Sequence, residues 1–278
     1  MLKQIVLVVF LFSKAAFGQA TFEESKAASV VVGKWFTKAL AHYDFLSATP
    51  IALKRDDYRF YIFEASHFQL ASDYGYSYSQ VPVPAEVKSA YETLGFSTGG
   101  MSSKVELNRF HANWGITNAH DLTFNYQWSY GGINGWGLGY KYLIMARRHF
   151  FLSHRLSYAK AYRDNYFDST TVTNDLSLSL YMRLIDIYFG ARHHFGKIKF
   201  TPSVNYLELP EVSYFSSLGE LEYYYGVVIA GSYNSRLAIQ ASQIGNDTSI
   251  SAKLSFHFDS LFPKKILFFQ NWKNFSLW

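Results

Sequence analysis

The sequence predicts an all-β protein, a transmembrane, antiparallel, up-and-down β-barrel preceded by a short helix. Three observations predict it: repeated segments of about ten residues that alternate apolar and polar side chains, an excess of aromatic residues, and a low content of charged residues. Aromatic residues make up 19% and charged residues 17% of the 278-residue chain. Beyond the N-terminus, no apolar run reaches the length of about 18 residues that a membrane-spanning helix requires.

The N-terminus predicts an exported protein. Residues 1–18 combine the basic residue Lys3, an apolar stretch from Ile5 to Phe12 and the small-residue pattern Ala-Phe-Gly at 16–18, which together are typical of a secretory signal peptide. We expect cleavage after Gly18, with Ala20 as the alternative site. The chain contains no cysteine, so neither a disulfide framework nor a thiolate metal site is available to it.

Residues 19–56 form the next predicted unit, an N-terminal segment with an amphipathic helix. Between Phe22 and Phe45 the apolar residues follow a spacing close to that of one helical face: Val31, Val32, Trp35, Phe36, Ala39, Leu40 and Tyr43. We expect this helix at the periplasmic rim of the barrel or as a partial plug within it.

The clearest predicted strand is Asp121 to Tyr130. Its apolar residues Leu122, Phe124, Tyr126, Trp128 and Tyr130 alternate without error with polar ones. Since successive side chains of a strand point to opposite faces, one face is aromatic and the other is polar. The pattern recurs at 67–79, 136–144, 149–161, 175–184, 197–206 and 249–258, and more loosely at 221–233 and 236–244. Residues 105–114 fit if a β-bulge shifts the phase near Arg109.

A soluble β-sandwich or a lipocalin-like barrel would also show alternating strands. Two features favour the membrane barrel. Soluble barrels carry charged residues on their outer face, whereas the polar faces here are mostly Ser, Thr, Asn and Gln. The segments are also long, and strands of about ten tilted residues are what a hydrocarbon core requires.

The strand number is predicted as about twelve, with ten as the alternative. With one further start at Asp186, the segments give about eleven strand starts, whereas single-chain bacterial barrels have an even number. Adding Tyr58 to Ala65 makes about twelve strands, and fusing Asp175 through Phe195 into one bulged strand makes about ten. We expect a turn at Gly196-Lys197 and long connections at 80–102, 162–174 and 207–220.

The sequence resembles bacterial outer-membrane proteins at Ile250 to Phe258, ISAKLSFHF, because such proteins end in an alternating strand with a terminal aromatic residue that the assembly machinery reads. The resemblance covers about Tyr58 to Phe258 and implies a barrel domain at 57–258. It implies a location in the bacterial outer membrane and contacts with its lipid, with lipopolysaccharide and with the barrel-assembly machinery. Residues 259–278 depart from the family's pattern, and we expect a periplasmic C-terminal tail, with an irregular last strand as the alternative.

If the aromatic faces contact lipid, the polar faces line the lumen. The predicted pore-lining residues are Lys141, Arg155, Arg183, Asp186, Arg192, Lys197, Lys199, Glu222, Arg236 and Lys253. The predicted aromatic girdle consists of Tyr74, Tyr76, Tyr126, Trp128, Tyr130, Trp136, Tyr140 and Tyr142. Basic residues outnumber acidic ones in the first set, which predicts a preference for anions.

We therefore expect a passive channel or transporter for small, anionic solutes, with a structural or surface-interaction barrel of closed lumen as the alternative. An outer-membrane lipid hydrolase is less favoured, and we expect no enzyme. Phe110 to Gly115 resembles the His-x-Ser-Asn motif of outer-membrane phospholipases and lipid A deacylases, but Ala112 and Asn113 stand where a Ser is required. The sequence shows no metal-binding or cofactor motif, and its basic residues are too scattered for nucleic acid.

Overall fold

The computed structural model describes residues 22–41, 47–52, 61–62, 68–94, 103–147, 149–164, 166–182, 184–200, 212–215, 221–231, 234–244 and 247–258. The predicted signal peptide, the predicted C-terminal tail and Arg183 lie outside the described residues.

The described strands form one antiparallel sheet that closes on itself. They are β1 (Tyr61–Ile62), β2 (Phe68–Pro82), β3 (Lys104–Thr117), β4 (His120–Trp128), β5 (Asn134–Arg147), β6 (Phe150–Arg163), β7 (Phe167–Met182), β8 (Ile185–Phe200), β9 (Val212–Phe215), β10 (Glu222–Ala230), β11 (Ser235–Ile244) and β12 (Asp247–Phe258). In the described part of the chain, ten strands close the barrel in the order β5-β4-β3-β2-β12-β11-β10-β8-β7-β6, and β6 pairs back with β5. The short strand β1 pairs with β5 beyond the end of β4. The short strand β9 pairs with β8 beyond the end of β10.

Ten is the lower of the two predicted strand numbers, but it does not arise from the predicted fusion. Strands β7 and β8 are separate antiparallel strands. Their register begins with Met182 opposite Ile185 and ends with Phe167 opposite Phe200. Instead, Asp186 and Lys197, which the sequence suggests as two strand starts, lie in the single strand β8. Residues 61–62 contribute only a short pairing to β5.

The turn predicted at Gly196-Lys197 is therefore wrong, and so is the long connection at 162–174, most of which belongs to β6 and β7. A Cβ atom on Gly196 would lie 2.8 Å from Thr37 Cγ2 and 2.6 Å from the carbonyl oxygen of Thr170. The glycine thus permits the close approach of a helix to the wall.

The wall of the barrel is inside out relative to that of a soluble protein. Large apolar side chains point outward and are exposed, among them Leu138 and Leu176, each 49% exposed. The inward face carries buried Ser, Thr, Asn and charged residues. An outer face of this kind is stable in hydrocarbon, so the structure is a transmembrane β-barrel.

The two ends of the barrel differ. At one end, here called the turn end, the connections β3–β4, β5–β6, β7–β8 and β10–β11 are all short. At the opposite end, the loop end, residues 83–103 join β2 to β3 and include helix α2 (Ala85–Thr93), while residues 201–221 lead from β8 to β10. In barrels of this architecture short turns face the periplasm and long loops face outward.

Helix α1 (Phe22–Ala39) lies at the loop end and packs against α2 and strands β7 to β9. Its apolar face joins one buried cluster with α2 and the wall, including Val32, Phe36, Val87, Ile198 and Phe200. The helix is therefore a partial plug, one of the two predicted positions, and not a helix of the periplasmic rim.

Neither helix in the described ranges combines the length and the hydropathy that a membrane crossing demands.

Candidate functional site: the plugged lumen

Helix α1 lies in the mouth of the barrel at the loop end and packs against its inner wall. Trp35 Nε1 donates a hydrogen bond to the carbonyl oxygen of Pro82 at 3.1 Å, which ties the helix to the end of β2. The rings of Phe36 and Phe167 are in contact at a tilt of 40°, with their centroids 4.8 Å apart. Thr171 Oγ1 donates to the Thr37 carbonyl oxygen at 3.4 Å. These contacts bury the apolar face of α1 against the inner wall.

A second part of the N-terminal segment, residues 47–52, binds the wall near the turn end. Lys141 Nζ donates to the carbonyl oxygen of Thr49 at 2.8 Å, and the backbone N–H of Ile51 donates to the Asp121 carboxylate at 3.2 Å. The Ser47 hydroxyl donates to Asp186. Close to the loop end, Gln127 Nε2 donates a hydrogen bond to the Leu40 carbonyl oxygen. The N-terminal segment therefore contacts the inner wall near both ends. We call α1 and residues 47–52 together the plug.

One row of charged side chains crosses six neighbouring strands of the inner wall. The strand register places them side by side in the order Asp121, Lys141, Arg155, Asp175, Arg192 and Glu222. All six side chains are buried. The row begins near the turn end of β4 and finishes at the loop end of β10, so it runs obliquely along the lumen. We call it the charge row.

The charge row is held by specific partners. Lys141 Nζ lies 2.6 Å from Asp121 Oδ2, and Glu222 pairs with Arg192. Glu222 Oε2 also lies 2.8 Å from His194 Nε2, and the Tyr224 hydroxyl donates to Asp175 Oδ1 at 2.9 Å. Buried charges require such partners because an unpaired ion away from water costs several kcal/mol. The row therefore joins adjacent strands and orders the inner wall.

The opposite side of the lumen carries a second set of bonds. Lys253 Nζ lies 3.0 Å from Asp73 Oδ2. Arg109 donates to Gln127 Oε1 at 3.1 Å and to Ser79 Oγ at 2.9 Å. With these bonds, most charged groups of the wall face a partner of opposite sign or a neutral acceptor.

A cavity of about 90 Å³ remains at the turn end between residues 47–51 and the wall. Its polar lining includes Asp73, Asp121, Lys141, Asp186 and Arg236. A space of this size holds several water molecules, each of which needs roughly 10–15 Å³ of accessible volume. The lumen thus has room for water beside residues 47–51, whereas apolar side chains pack around α1.

Most predicted pore-lining residues face the lumen: Lys141, Arg155, Asp186, Arg192, Glu222, Arg236 and Lys253. Lys197 and Lys199 do not, and their assignment to the pore is wrong. Both are exposed on the outer face, while Ile198 and Phe200 between and beside them are buried against α1. At the loop end the inner face of β8 is apolar because the plug covers it.

The predicted aromatic girdle lies on the outer face and forms two groups. Tyr76 and Tyr126 both contact Trp128 towards the loop end, with ring centroids about 6 Å apart; Trp136 packs on Tyr158 in the same region. Towards the turn end, Tyr140 and Tyr142 both pack against His120. Tyr74 accepts a hydrogen bond from Trp114 Nε1, and Tyr130 lies in the β4–β5 turn, 91% exposed.

Several lumen residues are not predicted by the sequence patterns. Tyr188 and Tyr224 are fully buried inward, although the alternation predicts aromatic residues outside. The available signal is a glycine opposite each one: the register sets Tyr188 beside Gly226 and Tyr224 beside Gly190, where a Cβ atom would overlap the phenol ring. Asp175 is a further unpredicted lumen residue, although it alternates in phase with Ser177.

Arg109 is absent from the predicted lumen because the sequence suggests a phase shift near it. The β2–β3 register is continuous across this position, and the irregularity lies between Phe68 and Ala71. Leu107 points inward with Arg109 because α1 covers the inner face there. The expected bulge is therefore wrong.

The weak hydrolase motif also has a defined place. His111 points into the wall of the lumen, and its Nε2 lies 2.6 Å from the Ser77 hydroxyl. This hydroxyl comes from the neighbouring strand β2 and not from the motif position. Both side chains are buried, and neither lines the cavity at the turn end.

The inside-out wall, the polar lumen and the asymmetric ends define a transmembrane β-barrel of the outer-membrane type with an internal plug. No family model and no curated protein matches the chain.

Similar solved structures include the KdgM porin in complex with disordered oligogalacturonate (10% identity, 68% of this chain and 99% of that chain, TM-score 0.38). Others are the Escherichia coli outer-membrane protease OmpT (8% identity, 70% of this chain and 100% of that chain, TM-score 0.37) and the Yersinia pestis outer-membrane protein Ail (11% identity, 68% of this chain and 99% of that chain, TM-score 0.32). Similarity this low carries no function from one protein to another, so the functional argument rests on the lumen.

Proposed function

We propose that this protein is a channel of the bacterial outer membrane for small polar solutes, held closed at its loop end by helix α1. This proposal is supported mainly by one observation: the plug is a separate segment of chain inside a polar, charge-lined barrel. A polar lumen interior is the surface along which hydrated solutes pass in channels of this class.

Contacts of unequal strength support gating by the plug. At the loop end, α1 buries an apolar face against Ile198, Phe200 and α2. Near the turn end, residues 47–51 bind the wall through hydrogen bonds beside a cavity with polar lining. Displacement of α1 would therefore open the mouth, and the polar wall below it already suits water.

The balance of charge supports weak ion selectivity. The basic residues of the described inner wall are Arg109, Lys141, Arg155, Arg192, Arg236 and Lys253. The acidic residues are Asp73, Asp121, Asp175, Asp186 and Glu222. Because Lys197 and Lys199 lie outside, the strong anion preference expected from the sequence loses its main support. We expect little discrimination between small anions and cations.

A second candidate is a structural barrel whose lumen never opens. The paired charges favour it, because a fully bonded interior stabilises a filled barrel as well as a channel. The two candidates differ in the effect of loosening the plug, since a channel would then conduct and a structural barrel would stay closed.

The test is conductance in planar lipid bilayers. The mature protein should be closed most of the time, whereas removal of residues 22–41 should give frequent, long openings. Phe36→Ala tests the same step with a milder change, because Phe36 is 3% exposed and its truncation removes about 3–5 kcal/mol of packing.

Val30→Ala is the matched control for Phe36→Ala, since Val30 lies on the same helix but is 38% exposed. It should behave like the wild type. If neither the deletion nor Phe36→Ala conducts while both proteins remain folded, the channel proposal fails and the structural barrel is favoured.

A further inference from the structure

Three lysines share the outer face of the barrel near the loop end. Lys197 and Lys199 project from β8 and are exposed, and the Lys160 side chain on β6 is 38% exposed. We call them the outer lysine cluster. A cation on the lipid-facing side of a membrane barrel is costly unless it reaches a polar partner. Asp168 supplies one within the cluster, since it pairs with Lys160 and stands opposite Lys199 in the register.

The register brings the three lysines together. Lys197 pairs with Thr170, and Thr170 pairs with Lys160, so the two lysines flank one residue on the same outer face. Neighbouring strands are about 4.8 Å apart, which puts their Cα atoms about 10 Å apart. Lys199 follows on the same face of β8, about 7 Å from Lys197. Three long, flexible side chains at this spacing can converge on one anionic group.

The cluster marks the boundary of the apolar outer band on the side of the loop end. The next outward-facing residues towards the turn end are Phe195, Val172 and Tyr158, which the register places in one row. Trp136 pairs with Lys160 and continues the lysine row into the aromatic group of the loop end. Lysines at such a boundary extend their ammonium groups to the level of the lipid headgroups.

A groove of about 450 Å³ adjoins the cluster at the loop-end rim of the wall. It is lined by Trp136, Lys160, Tyr162, Arg163, Asp164, Phe167, Asp168 and Lys199. Asp168 Oδ2 lies 3.2 Å from Lys160 Nζ, and Arg163 stacks on the Tyr166 ring at 4.0 Å. Among the described residues, Lys197 lies beside the groove, and four basic side chains stand against the two acidic ones, an excess of two positive charges.

We infer that the outer lysine cluster binds the phosphate groups of an anionic lipid in the membrane leaflet at the loop end. Charge complementarity and the level of the cluster on the wall carry this inference. It concerns the outer face and is independent of whether the lumen conducts.

The test measures lipid binding to the mature protein in zwitterionic detergent by native mass spectrometry. The probes are a bisphosphorylated glycolipid, the same glycolipid without its phosphates, and inorganic phosphate. The wild type should bind the bisphosphorylated lipid about ten-fold or more tightly than either other probe, because basic side chains are attracted to a charged lipid surface. The variant Lys160→Gln/Lys197→Gln/Lys199→Gln should lose this preference.

The matched control is Lys26→Gln/Lys88→Gln/Lys104→Gln, which removes the same charge from α1, α2 and the start of β3 at the same end of the molecule. It should bind like the wild type. The single variant Lys199→Gln keeps the test valid if the triple variant does not fold. Unchanged lipid affinity in the cluster variants, or equal affinity for the dephosphorylated lipid, would overturn the inference. If inorganic phosphate bound as tightly as the lipid, the cluster would be a site for a free anion, and the assignment to a lipid would be wrong.

Discussion

At the scale of single residues, the inner wall depends on buried charges that sit beside one another on adjacent strands. Asp121 is one of these, and it lies 2.6 Å from Lys141 Nζ and also accepts the Ile51 N–H of the plug. Its carboxylate thus links the wall to the N-terminal segment.

We expect Asp121→Asn to lower the free energy of unfolding by ~3 kcal/mol, because it leaves the buried Lys141 ammonium without its counter-ion. Urea-induced unfolding in detergent measures this change. The matched control is Asp168→Asn, which removes the carboxylate of the exposed pair with Lys160 and should cost less than about 1 kcal/mol. Equal effects of the two variants would show that the lumen pair is screened by water like the surface pair.

The residue scale also explains where alternation is informative. The pattern of β4 places Thr123, Asn125 and Gln127 inward and Phe124 and Tyr126 outward, as the sequence predicts. In β8 the same period holds, but the inward positions change from Asp186 to Ile198 along the strand. The two-residue period fixes which side chains share a face, whereas the chemistry of the lumen at each level depends on what fills it.

At the scale of elements, helix α1 is the part of the structure that the proposed function requires to move. Its C-terminal half contacts β7 and β8 through Thr37, whose Cγ2 lies 2.8 Å from the place that a Cβ on Gly196 would take and whose carbonyl accepts from Thr171. This contact is close enough for a covalent test, and the absence of cysteine from the chain makes an introduced pair unique.

We expect a Thr37→Cys/Thr171→Cys disulfide to hold α1 in the mouth of the barrel. In the Phe36→Ala background, oxidation should abolish channel openings and reduction should restore them. The measurement is single-channel recording before and after addition of a reductant. Thr37→Cys alone in the same background is the control and should respond to neither treatment. Openings that persist in the oxidised double variant would mean that solutes bypass α1.

At the scale of the whole molecule, the outer wall must contact hydrocarbon between its two aromatic groups. Leu138 lies on β5 between Trp136 and Tyr142 and is 49% exposed. A charge at this level has no water to hydrate it, and the barrel must deform the bilayer or remain unfolded.

We expect Leu138→Arg to destabilise the barrel folded in lipid vesicles by about 2–4 kcal/mol. Tyr130→Arg in the β4–β5 turn is the control and should have little effect, since Tyr130 is 91% exposed beyond the strands. Folding yield against urea concentration in vesicles measures both. Equal tolerance of the two substitutions would contradict the assignment of the apolar face to lipid.

The sequence by itself determined the class of fold, because the two-residue period, the long strands and the scarcity of charge are local properties of each segment. It also indicated the amphipathic helix and most of the lumen charges. Only the tertiary structure decided the ten-strand closure, the charge row across six strands and the outward position of Lys197 and Lys199. These depend on register and on the plug: closure fixes which residues become neighbours, and α1 makes the inner wall apolar at the loop end.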